Sequence, residues 1–69
     1  MTKEDIAKLE KSQLMFYFLI ARDNLISVKK ALFQRPEEEN LKVIYQEESQ
    51  NYENLLAEIY RRMKKWVKV

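Results

Sequence analysis

The stretch FQRPEEE, Phe33 to Glu39, decides how this chain folds. Pro36 is the only proline among 69 residues, it stands close to the midpoint, and glycine is absent altogether. Proline has no N–H to donate and disfavours helical geometry in the residue before it, so a helix arriving from the N-terminal side should stop just before Arg35. Proline also suits the first position of a new helix. Glu37, Glu38 and Glu39 would then set negative charge against the positive end of that helix's dipole.

Working outward, Thr2 followed by Asp5 resembles a capping box with Asp in place of Glu or Gln. This predicts a first helix over about 2–34. At the other end Arg61, Arg62, Lys64, Lys65 and Lys68 complement the negative end of a dipole, which predicts a second helix over about 36–68. Both halves are rich in Leu, Lys, Glu, Gln and Ala, which favour helix. Two rods of roughly 50 Å joined by so short a break should fold back as an antiparallel hairpin, a single domain spanning 1–69. A continuous helix merely kinked at Pro36 is the competing geometry.

The apolar residues of the first half form more than one series. Leu14, Phe18, Ala21, Leu25, Val28 and Leu32 follow one another at spacings of 4 and 3, with Leu19, Ile26 and Phe33 widening the stripe by one position. A second series of Ile6, Leu9, Gln13, Phe16 and Ile20 falls on nearly the opposite side of a continuous helix. The two overlap in LMFYFLIA, Leu14 to Ala21, where no residue is charged. The second half has one stripe, formed by Leu41, Tyr45, Tyr52, Leu55, Leu56, Ile59, Met63 and Trp66, and one wet side. A single such helix covers one face of its neighbour, so the other face calls for a second chain. The resulting expectation is an all-α homodimeric four-helix bundle, first helices central, with Leu9, Leu14, Phe16 and Ile20 carrying self-association. Dimers pairing further is left open.

Composition points the same way. A domain this small buries little surface and usually needs a staple or a partner. With no cysteine and no histidine, disulfides, thiolate metal sites and the commonest transition-metal ligand are all excluded. No secretory signal is visible and the eight-residue apolar run is far short of the roughly 20 residues of a membrane span, so a cytoplasmic protein is expected.

Catalytic chemistry finds little footing. There is no glycine-rich phosphate loop, no Cys or His nucleophile system and no serine with a plausible base. No catalytic, cofactor or metal residues are assigned; Asp23, Glu47, Glu48 and Glu53 read as a solvated face rather than a cation site. Folding the hairpin at Pro36 brings Glu48 level with Arg22, which suggests an ion pair fixing register. The basic end, RRMKKWVKV, has two readings. Arg61, Arg62, Lys64, Lys65 and Lys68 could contact the phosphates of a nucleic acid, an anionic membrane surface or an acidic protein, or could answer the helix dipole while Glu58 pairs with Arg62 one turn on and Trp66 continues the core. Tyr17 and Tyr60 lie at the margins of their stripes and are better placed than Tyr45 or Tyr52 to face a partner. The functional expectation is a non-catalytic homodimeric module that binds another macromolecule, a protein, in a regulatory or scaffolding role. Its rival is a nucleic-acid-binding dimer using the basic end, for which the net charge of only +2 is weak support.

Overall fold

A computed structural model describes residues 1–67 and contains three helices: α1 (Lys3–Ala7), α2 (Lys11–Gln34) and α3 (Glu39–Trp66). The two long helices pack against each other along their length as an antiparallel pair, and α1 packs on α3. Among the described residues there is no strand.

The expected first rod of 2–34 is therefore two helices. Its start is as read: Thr2 is the N-cap, its Oγ1 accepting from the Asp5 N–H at 3.1 Å. The chain then leaves helical geometry over Lys8–Glu10. The N–H groups of Lys8 and Leu9 donate to Asp5 O and Ile6 O, tightening the last turn of α1. Glu10 is extended (φ −70°, ψ 162°) and restarts the helix, its N–H donating to Gln13 Oε1 at 3.0 Å, the back-reaching half of a capping box. The physical gain from breaking lies in Ile6 and Leu9. In an unbroken rod Leu9 would sit on the side away from α3 and Ile6 at its flank; after the break Ile6 is buried and Leu9 packs against the same core.

At the hairpin end α2 stops at Gln34, as the sequence predicts. The second long helix begins three residues later than expected, at Glu39 instead of Pro36. Pro36 is used in a tight turn, where the Glu38 N–H donates to Arg35 O at 3.2 Å and proline takes the second position that its fixed φ suits. Arg35 itself is non-helical (φ −132°, ψ 68°), the restriction expected of a residue before proline. The kinked continuous helix is thereby excluded.

The α2 stripe lies inside as read: Leu14 and Ala21 are buried, and Phe18, Leu25, Val28 and Leu32 are half-buried. Phe18 stacks on Tyr52 with ring centroids 5.2 Å apart, which sets the level of the two helices. The supposed widening of the stripe fails, because Leu19, Ile26 and Phe33 are exposed. The buried apolar residues are Ile6, Leu14, Ala21, Leu55 and Ile59. They leave the molecule long and thin, 47 × 22 × 16 Å. Its radius of gyration is 14.1 Å, against about 11 Å for a compact domain of this length.

Candidate association surface

Two groups of side chains stand out. The first is a charged cluster where α1 meets α3. Glu58 lies on α3 with its side chain only 9% exposed, and both following arginines reach it. Arg61 Nη2 donates to Glu58 Oε2 at 2.6 Å and Arg62 Nε donates to the same oxygen at 3.0 Å. Arg62 then uses its Nη2 to donate to Ala7 O at 3.1 Å and Ile6 O at 3.3 Å. Both carbonyls lie in the last turn of α1, Ile6 O also accepting from the Leu9 N–H, so one guanidinium ties the short helix to α3 and helps satisfy its C-terminus. The hydrogen bond from Arg61, reinforced by Arg62, holds the Glu58 carboxyl below the ordinary carboxylate range, outweighing burial, which pushes the other way. The same contact raises the Arg61 guanidinium further.

This arrangement changes the meaning of the basic end. Arg62 is half-buried and structural; Arg61 is exposed but its fork is on Glu58. Trp66 packs against the core and carries Lys11 Nζ over its ring, 4.7 Å from the centroid. Lys64 and Lys65 are exposed, and Lys68 lies outside the described residues. The pairing of Glu58 with Arg62 was legible at i,i+4; the grip of Arg62 on α1 was not. One signal could have found it, since Leu41, Tyr45, Glu48, Tyr52, Leu55, Ile59, Arg62 and Trp66 follow a strict 4,3 spacing that puts Arg62 inside the stripe.

The expected pair of Arg22 with Glu48 does not form. Phe18 and Tyr52 sit one turn away from them on each helix, so the level was right, but Arg22 turns outward to Asp23 at 3.6 Å. Glu48 has no ion-pair partner among the described residues. Both side chains of the Arg22–Asp23 contact are more than half exposed, so it contributes little.

The second group is the outer surface of α2. Of the four residues expected to carry self-association, Leu14 is fully buried in the chain's own core and is removed from the set, and Leu9 is half-buried against that core. Phe16 and Ile20 remain open to solvent, 60% and 40% exposed. They are joined by Met15, Leu19, Ile26 and Phe33, the last 89% exposed. Tyr17 meets Phe16 edge to face at 6.0 Å and is partly exposed, as is Tyr60, while Tyr45 and Tyr52 are more enclosed.

Open grooves lie between α1 and α3, beside Ile6 and Glu58, and at the turn, beside Arg35 and Glu38. Among the described residues no three carboxylates converge on a cation-sized space, and no helix is long and apolar enough to cross a membrane. Comparisons with protein-family models, curated proteins and solved structures find no match for this chain.

Proposed function

We propose that this protein is a non-catalytic helical module that works as a homodimer and presents its surface to another macromolecule, a protein, in a regulatory or scaffolding role. The observation that supports this reading is the uncovered apolar side of α2. Six large apolar side chains between Met15 and Phe33 face water on a helix whose opposite side is already occupied by α3. A surface of that kind on so small a chain marks a site of association. Burying a Phe or Ile side chain contributes about 1.5–3 kcal/mol, so covering a few of them would rival the whole stability of the folded unit.

The nucleic-acid alternative draws less support than the sequence offered it. Arg61 and Arg62 are engaged with Glu58 and α1, which leaves Lys64 and Lys65 as the free cations of the described basic end.

Sedimentation equilibrium tests the proposal. The wild-type chain of 8.4 kDa should run at twice that mass, and Phe16→Glu should shift it to monomer with helical circular dichroism retained. A wild-type monomer at high micromolar concentration would overturn the homodimer. Replacing Lys64 and Lys65 together by Glu should leave mass and helicity unchanged. Loss of a salt-sensitive affinity for nucleic acid in that double variant would favour the rival.

A further inference from the structure

We infer that the outer side of α2 docks on an anionic bilayer surface, the helix lying in the headgroup plane with Met15, Phe16, Leu19, Ile20, Ile26 and Phe33 turned toward the acyl chains. The inference goes beyond the homodimer reading. A face takes one cover at a time, so a dimer joined through this one is the form away from lipid.

All six side chains are exposed. On a helix of 3.6 residues per turn they fall within an arc of about 140°, on the side away from Leu14, Ala21 and Leu25, which lie inside the hairpin. They form a ridge about 27 Å long on a single helix. None of them lines the open grooves between α1 and α3 or at the turn. A ridge suits a flat surface, whereas a partner helix is gripped by a groove. The molecule is 47 Å long, and α1 packs on α3, so α2 can meet a plane along its whole length.

Charge names the surface. α2 carries Lys11, Arg22, Lys29 and Lys30, all exposed, against the single acid Asp23, which is in contact with Arg22 at 3.6 Å. By helical rotation Lys11, Arg22 and Lys29 line one flank of the ridge, and Lys30 stands within it, one turn from both Ile26 and Phe33. Stems of this length lie along apolar surface while their charged ends reach headgroup phosphates. Tyr17 stands at the opposite flank, edge to face with Phe16, where a ring with a hydroxyl suits the boundary between lipid and water. The acids are elsewhere: Glu37, Glu38, Glu39, Glu47, Glu48 and Glu53 lie on the turn and the first half of α3, against Lys42 alone. A second copy brought to the ridge adds cations to cations, whereas an anionic bilayer answers all four together. Lipid is therefore the stronger cover of the two.

Vesicle binding tests the inference. Vesicles of equal parts phosphatidylserine and phosphatidylcholine should carry the chain down on centrifugation, vesicles of phosphatidylcholine alone about tenfold less or weaker still, and added salt should loosen the binding. Phe33→Ser, and separately Lys29→Gln with Lys30→Gln, should each weaken it about tenfold or more. All three residues are exposed, so the fold is spared. The chain has no cysteine, so Ser27→Cys on the ridge and Gln50→Cys on the far side of α3 each accept one nitrobenzoxadiazole label. The first label should brighten severalfold on anionic vesicles while the second stays dim. Binding indifferent to Phe33→Ser, equal brightening of the two labels, or capture of an acidic amphipathic peptide without vesicle binding overturns the bilayer. Sedimentation equilibrium in buffer keeps the two readings apart. A dimer that ignores vesicles strikes only the bilayer, and a monomer that binds them strikes only the homodimer.

Discussion

The two ends of the hairpin are built from the same pair of helices yet are finished differently. At the open end α1 adds a third element, and Ile6, Leu14, Leu55 and Ile59 are buried there, with Leu9 and Trp66 packed around them. At the turn end no third element exists. Leu25, Val28, Leu32 and Leu41 are only half-buried, Ile44 is exposed and Phe33 stands in water. The difference teaches that two helices make a seam and three make a core. A side chain between two cylinders keeps a wet flank, and a third cylinder closes it.

The largest test of this contrast compares Leu14→Ala with Leu32→Ala. Leu14 is fully enclosed, so its truncation should cost about 2–5 kcal/mol and leave the chain largely unfolded. Leu32, open on one side, should cost roughly 1 kcal/mol or less. Urea titrations followed by circular dichroism give both values, and equal losses would mean the turn end is as closed as the open end.

Next in size is the charged clasp. Arg62→Met removes the cap of α1 and leaves the Glu58 carboxylate to Arg61 alone, for a loss of about 1–3 kcal/mol by the usual cost of losing hydrogen bonds to a charged group. Amides of α1 should lose hydrogen-exchange protection before those of α2 and α3. The pH dependence has a definite sign. Glu58 is held below its unfolded value, near 4.3 for an ordinary glutamate, so its contribution is complete above that value. It is lost as pH falls through the folded-state value. Glu58→Gln should therefore lose less stability than wild type between pH 6 and pH 3 in thermal melts. Parallel losses would mean the carboxylate is not held by the arginines.

Much of this was legible beforehand, for reasons that differ by element. Pro36 and the absence of glycine confine the turn to one place, and the 4,3 spacing from Leu14 to Leu32 names the inner face of α2 correctly. The break at Lys8–Glu10 was not legible, because no proline or glycine marks it. It is won by tertiary burial of Ile6 and Leu9 over local helix propensity. The surface of α2 was read in part. Phe16 and Ile20 are exposed as expected, whereas Leu14 is claimed by the core and Leu19, Ile26 and Phe33 are not. A one-position shift on a helix is 100° of rotation, which is the width of the stripe itself. Arg22 and Glu48 show the same limit, since matching level along two rods does not match the direction of their side chains.

The smallest expected effect concerns Asn51 on α3, whose Oδ1 is buried without a hydrogen-bond partner. Asn51→Leu should raise stability by about 1 kcal/mol, read as a rise in thermal midpoint of a few degrees. A fall would mean the amide is paired in solution and belongs to the polar contacts that finish this face.

The grip of Arg62 on Ala7 O joins residues 55 apart, whereas α2 and α3 can zip outward from the turn through loops that start only a few residues long. Closing the longest loop sacrifices the most chain entropy and gains the fewest contacts until Ile6 is seated. Seating of α1 is thus expected as a late kinetic event, with Ile6→Val slowing refolding little and speeding unfolding more. The hairpin's pace is set at Pro36; its lifetime is set at the opposite pole.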